Sequence, residues 1–223
     1  MILISFLIIS FLVPIQETVV PTATIVGKIE LPKKVFKKKV RRRRRSKRYG
    51  RKVQSLQKKA KKFNEYQKTL IYLLPLDEKN KRFIKKDGLL TQKYINFDPA
   101  HVVIQKGNRV QFINEDNLFH NVYSSCCSEK FNIGKKRTGV EVFETFTEVN
   151  HMQVFCDIHA TMSAFISVID SPYYTLCDEN GYFKITVPPG RYKVVGWHPR
   201  AEYESDVIVF EERSTLKVKV QFN

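Results

Sequence analysis

From Ala23 onward the chain is written in short apolar runs that stop at turn residues, and this punctuation favours strands over helices. "ATIVGKIELP" (23–32) reads as one strand and "TLIYLLPL" (69–76) as a second, buried one. The stretch "KYINFDPAHVVIQKGNRVQFINED" continues in β-rich pieces broken at Asp98-Pro99 and Gly107-Asn108. "EVFETFTEV" alternates, and "HMQVFC" and "MSAFISVID" flank a short loop. Farther on, "CDENGYFKITVPPGRYKVVGW" has turn residues at Asn180-Gly181 and at Pro188-Pro189-Gly190, which predicts a hairpin. At the end Leu216, Val218, Val220 and Phe222 alternate with Lys217, Lys219 and Gln221, as in a strand with one buried face. No amphipathic helix stands out beyond the basic region, so the expected class is all-β.

Charge is concentrated in one place. The formal net charge is +17, yet Lys33 to Lys62 holds 18 of the 39 basic residues and no acid, leaving 21 basic against 22 acidic elsewhere. The chain is thus a near-neutral protein with a basic insert. A run of this kind repels itself and has little to bury, so 33–62 is expected to be largely disordered. Its plainest reading is a solvated surface loop, and the sharper ones are docking to an acidic partner protein or an anionic membrane surface, or phosphate neutralisation on nucleic acid. Phe36, Tyr49 and Phe63 are not set in any recognised nucleic-acid motif, and no specific nucleic-acid partner is expected.

The apolar run from Ile2 to Val13, interrupted only by Ser5 and Ser10, has the length of a signal-peptide core and is short for a membrane span. Residues 1–22 are therefore read as a signal peptide, with an uncleaved anchor as the alternative, and the location as periplasmic or otherwise exported. No cysteine follows the run to carry a lipid.

The segment "VFCDIHATMSAF" (154–165) places Cys156, His159 and Met162 in a C-x-x-H-x-x-M pattern between two apolar runs. Three such side chains converge if the loop curls around a point, and "INEDNLFHNV" offers His120 as a fourth. Two imidazoles, a thiolate and a weak thioether are the ligand set of a type 1 (blue) copper site. Zinc has no use for the methionine. Iron–sulfur clusters want more thiolates, and a binuclear purple-copper site wants two cysteines in this loop.

These residues carry a resemblance. "VVIQKGNRVQFINEDNLFHNV" and "FTEVNHMQVFCDIHATMSAFISVID" resemble the cupredoxin family, the first as the strand pattern ending in its first histidine ligand, the second as its final ligand-bearing strand pair. The loop spacing is similar to that of amicyanin. The resemblance spans roughly Tyr94 to Asp170 and implies a Greek-key sandwich, here placed at 90–170, holding one copper on His120, Cys156, His159 and Met162. It implies that Asn121 braces the ligand loop near the cysteine sulfur, and that electrons leave through His159. Ala160 and Thr161 depart from it, standing where such loops carry a proline and a bulky residue, and Asn150 stands where a turn glycine is common.

A second resemblance covers the flanks. "TLCDENGYFKITVPPGRYKVVGWHPR" is similar to the carboxypeptidase regulatory-like, transthyretin-type sandwich, and "VGKIELP" with "TLIYLLPL" to its earlier strands. The two together resemble exported methylamine-utilisation-like proteins. They imply a cupredoxin inserted into a second small β-sandwich split between 24–76 and 171–223.

Among the remaining histidines, His101, His151 and His198 are expected to be surface or satisfied core residues, with His151 a weak surface metal site at most. Cys126 and Cys127 are too close for an unstrained vicinal bridge, because adjacent α-carbons lie about 3.8 Å apart. One of them pairs with Cys177, or both stay reduced and take Cu(I). No nucleophile motif, phosphate loop or carboxylate pair competes, so the chain is read as a non-enzyme: an exported electron carrier between redox partners. The alternative is a copper-binding or envelope-attached module without redox turnover, whose basic arm meets anionic partners.

Overall fold

The computed structural model describes residues 22–36, 54–126 and 128–223. The expected signal or anchor segment up to residue 21, the basic stretch 37–53 and Cys127 lie outside these. Among the described residues no helix is long and apolar enough to cross a membrane.

The all-β expectation holds: among the described residues sixteen strands form four sheets. In chain order, β1 (Ala23–Glu30) and β2 (Leu70–Pro75) come first. A middle block follows with β3 (Gly88–Gln92), β4 (Phe97–Asp98), β5 (His101–Gln105), β6 (Arg109–Asn114), β7 (Tyr123–Ser124), β8 (Phe131–Asn132), β9 (Glu141–Thr145), β10 (Asn150–Phe155) and β11 (Ser163–Ile169). The chain ends with β12 (Tyr174–Leu176), β13 (Tyr182–Val187), β14 (Gly190–His198), β15 (Ala201–Phe210) and β16 (Thr215–Gln221).

The middle block makes two sheets, ordered β4-β3-β6-β9 and β5-β11-β10-β7-β8, around one core that includes Leu90, Phe97, Phe112, Val154 and Ile166. First and last strands make the other two, β13-β1-β16 and β12-β2-β14-β15, around Ile25, Ile71, Phe183, Tyr192 and Val220. The sheets thus pair into two sandwiches, the second assembled from both ends of the chain.

Strand period explains which residues face which core. Val110 and Phe112 of β6, like Met152 and Val154 of β10, are fully buried at every second position. The same parity carries Cys156 inward just beyond β10. β11 is buried on both faces, Ala164, Ile166 and Val168 toward its own core and Ser167 and Ile169 toward the other sandwich, as a covered central strand should be.

Two details differ from the sequence reading. The predicted hairpin across Pro188-Pro189-Gly190 is a corner: β13 pairs with β1, whereas β14 lies in the opposite sheet between β2 and β15. Asp77 and Asn80 fasten this corner, Asn80 Nδ2 donating to Pro189 O (3.0 Å) and Arg191 N to Asp77 Oδ2 (2.8 Å). A side chain at Gly190 would run into both residues. The second difference concerns 33–62, whose described ends are ordered. Lys33–Phe36 forms a 3-10 turn with Val35 fully buried, and residues 54–57 form a helical turn with Leu56 packed on the middle core. Each end carries one apolar residue that a neighbouring core accepts.

The sandwiches meet through Leu70, Tyr72 and Trp197 on one side and Val103, Phe165 and Ile169 on the other. His101 and His151 lie in this seam. His101 Nδ1 is 2.8 Å from Lys68 O, and Ser167 Oγ is 2.7 Å from both His101 Nε2 and His151 Nδ1. A carbonyl only accepts, so His101 carries its hydrogen on Nδ1. Its Nε2 then takes the Ser167 proton, and the serine oxygen accepts from His151 Nδ1–H. Trp197 stacks on His151 at 4.5 Å between ring centroids. Burial pushes the His101 pKa down to about 3 and that of His151 to about 4. His198 is buried beside Trp197, its Nε2 3.2 Å from Glu65 Oε2.

Candidate metal centre

His120, Cys156 and His159 come together at one end of the middle sandwich, with one donor atom of each lying within 4.8 Å of the other two. His120 Nδ1 is 3.1 Å from His159 Nδ1 and 4.0 Å from Cys156 Sγ. Exposure is 0 % for His120, 3 % for Cys156 and 7 % for His159, so the group sits under the surface with the His159 edge outermost. Met162 is fully buried in the same core cluster as Cys156.

Each position follows from local structure. Cys156 directly follows β10, and His159 and Met162 lie on the turn into β11, where Met162 N donates to His159 O at 2.9 Å. His120 lies between β6 and β7. Its backbone exchanges hydrogen bonds with Lys136, 3.1 Å from His120 N and 2.7 Å to His120 O. Buried Asn114 tightens that connection, its Nδ2 donating to Leu118 O (2.7 Å) and Lys136 O (3.0 Å).

Asp116 orients the first histidine. Its Oδ2 is 2.8 Å from His120 Nε2 and also accepts from Ile95 N at 2.7 Å, while Oδ1 accepts from Tyr94 N at 2.6 Å. A carboxylate only accepts, so the hydrogen of the neutral ring belongs on Nε2 and the Nδ1 lone pair faces the sulfur and the other imidazole. Sequence reasoning missed Asp116. Its spacing four residues before a ligand-type histidine, within "NEDNLFH", was the available signal.

Electrostatics favour a thiolate. Burial acts to raise the Cys156 pKa, but the backbone amides of Asn121, His159 and Ile158, together with His120 when its ring is protonated and Nδ1 also donates, outweigh it and hold the thiol below its ordinary value. Burial acts to lower the His120 pKa, and the Asp116 carboxylate reverses this. For His159, burial and the neighbouring His120 lower it. Asn121 touches the sulfur through its backbone amide, whereas its buried Oδ1 has no hydrogen-bond partner.

The donor set suits a copper ion. Two imidazole nitrogens and a thiolate-prone sulfur converge, the remaining nitrogen of His120 is tied to a carboxylate, and a buried thioether is close by in sequence. The other cysteines differ. Cys126 and Cys177 form no disulfide. Cys177 is buried in the second core, where burial pushes its pKa up to about 12, while Cys126 is exposed on the middle sandwich, so of the two alternatives a bridge from Cys177 to Cys126 is not found, and Cys127 lies outside the described residues. His151 projects from the face of β10 opposite Met152 and Val154, into the seam with Trp197, where it is half-buried.

No family model matches the chain, and no curated protein matches it. Several solved structures are similar. A proline-to-alanine variant of amicyanin in its oxidised state is 17 % identical over 46 % of this chain and 99 % of its own, with a TM-score of 0.36. A purple cupredoxin from Nitrosopumilus maritimus is 19 % identical over 38 % of this chain and 100 % of its own (TM-score 0.34). A copper-containing nitrite reductase from Thermus scotoductus SA-01 is 24 % identical over 43 % of this chain (TM-score 0.37), and the chain spans 25 % of that protein's length.

Proposed function

We propose that this chain is a single-copper electron-transfer protein whose metal is held by His120 Nδ1, His159 Nδ1 and Cys156 Sγ, with Met162 as a weak fourth ligand. The observation that carries this reading is the convergence of the three donor atoms, with the far side of His120 committed to Asp116. Bound copper would supply a one-electron couple between its cuprous and cupric states.

The protein's own residues keep that couple fast and selective. Asp116 fixes the His120 tautomer, and the amides around Cys156 favour its thiolate. Strands β10 and β11 hold the ligand loop at both ends, so the donors stay in place whichever charge the metal carries. His159 has the least covered ring of the group, next to exposed Ile158 (37 %), and Phe119 beside His120 is 59 % exposed. Electrons leave along this edge to a partner docked there. Four protein ligands leave no open position for substrate, so the chain is read as a carrier rather than an enzyme.

The wider reading is an exported protein in which a cupredoxin sandwich is inserted into a carboxypeptidase regulatory-like one. Its basic segment would steer acidic redox partners or hold the protein at an anionic surface, an effect that salt weakens. The test is the visible and electron paramagnetic resonance spectrum of the full chain after Cu(II) addition, beside Cys156→Ser. An intense thiolate-to-copper band with narrow copper hyperfine splitting, lost in the variant, supports the site. A colourless protein, or a spectrum unchanged in the variant, overturns it. Fast self-exchange marks a carrier, whereas tight copper binding with slow self-exchange marks a copper-holding module.

A further inference from the structure

The helical turn at 54–57 comes from the basic segment, yet it is attached to the metal end of the middle sandwich. Lys58 N donates to Gln54 O (3.1 Å) and Lys59 N to Leu56 O (2.9 Å), which sets the turn. Leu56 packs on the core cluster that contains Ile95, Cys156 and Met162. Asn96 Nδ2 donates to Lys61 O at 3.4 Å, holding the far end of the segment.

Gln57 is the polar link. Its Nε2 donates to Thr161 Oγ1 at 2.5 Å and lies 3.5 Å from Ile95 O. Thr161 sits between His159 and Met162 on the ligand loop. Ile95 belongs to the turn whose amides hold Asp116, and its own N–H shares Asp116 Oδ2 with His120 Nε2. The same turn has positive φ at Tyr94 and Ile95, both at 55°, a conformation that non-glycine residues adopt only when neighbours hold them. One amide side chain therefore spans two structures: the loop bearing His159 and Met162, and the turn that orients His120 through Asp116.

Between the two strand ends, this is a further tie on the ligand loop. Ala160 and Thr161 are exposed, and Ala160 has no polar side-chain atom. Within the loop the backbone bond from Met162 N to His159 O closes the turn, but it does not connect the turn to the His120 side.

We propose that Gln57 is a positioning residue of the metal centre, cross-linking Thr161 to the Tyr94–Ile95 turn so that the His159–Met162 side stays in register with His120. This rests on the copper reading above. The segment 54–61 is then a strap of the site, outside the strands that carry the ligands.

The experiment uses the full chain and two readouts. In the metal-free protein, Gln57→Ala speeds amide hydrogen exchange at residues 158–163 roughly fivefold, the effect of losing a bond worth about 1 kcal/mol. After Cu(II) loading, the same variant shifts the thiolate-to-copper band, widens the copper hyperfine splitting and moves the midpoint potential. Thr161→Val does the same, Thr161→Ser retains the wild-type values, and the Gln57→Ala/Thr161→Val double variant is no worse than either single one, as expected for one shared interaction. Unchanged exchange in Gln57→Ala overturns the strap. Faster exchange with unchanged spectrum and potential also overturns its positioning role. A wild-type chain that takes no copper ends the copper reading and this proposal together, whereas an unaltered variant of a copper-binding wild type ends this proposal alone.

Discussion

The middle sandwich carries two histidine pairs, and they are chemical opposites. In the seam, His101 and His151 both reach Ser167 Oγ at 2.7 Å, so a hydroxyl takes one nitrogen from each ring. At the metal end, the Nδ1 atoms of His120 and His159 face each other at 3.1 Å beside a cysteine sulfur. Burial alone does not separate the pairs, because His101 and His120 are both almost completely covered. The difference lies in what the second nitrogen meets. A histidine bridged into a hydrogen-bonded chain is a structural group, whereas one anchored at Nε2 with Nδ1 turned toward other donors is set up as a ligand.

The largest effect separates the pairs outright. His120→Ala is expected to abolish the thiolate-to-copper band while leaving a folded protein, whereas His101→Ala keeps the band and lowers stability by about 2–4 kcal/mol, since in a buried seam Lys68 O loses its donor and the Ser167 O–H its acceptor. Copper titration and urea unfolding of both variants check this. If His101→Ala also bleaches the band, the pairs are not independent.

A smaller effect tests the anchor. Asp116→Asn keeps the shape but removes the charge, and its amide nitrogen forfeits either the bond from Tyr94 N or both of those from His120 Nε2 and Ile95 N. Copper affinity is expected to fall about 10–100-fold, as for other groups that orient a ligand. Competition with a copper chelator measures it.

Acid acts on the seam pair in a defined window. Both histidines have pKa values depressed in the folded protein, to about 3 for His101 and about 4 for His151, from an ordinary 6.5. Between these values and 6.5 the unfolded chain binds more protons than the folded one. The stabilising contribution is therefore complete above pH 6.5 and is lost as pH falls, by up to about 1.4 kcal/mol per pH unit for each histidine. Urea midpoints of the metal-free protein at pH 7, 5.5 and 4.5 should decline accordingly, and less steeply in His101→Gln.

Much of this was legible in the sequence, for reasons that differ by residue. Strand parity put Met152, Val154 and Cys156 on one face, and the ligand types at Cys156, His159 and His120 come together in the fold. Asp116 and Gln57 were not legible. One is the second of two adjacent acids in "NEDN", and the other reaches the site from a charged segment far away in sequence. The hairpin expected at Pro188-Pro189-Gly190 failed because turn residues report a change of direction without naming the partner. β1 and β2, brought from the other end of the chain, compete for β13 and β14 and draw them into opposite sheets.

The smallest expected effect sharpens the comparison from the structural side. Ser167→Ala removes the hydroxyl between His101 and His151 without touching either ring. His101 keeps its bond to Lys68 O, and His151 is only half-buried, so the cost is expected near about 1 kcal/mol, at the low end for a lost buried partner. The copper spectrum should be unchanged, because Ser167 lies on the face of β11 opposite Ala164, Ile166 and Val168, which line the core shared with Cys156 and Met162. A shift in the copper band on losing this one oxygen would mean that the two faces of β11 are coupled and that the seam between the sandwiches helps to set the metal centre.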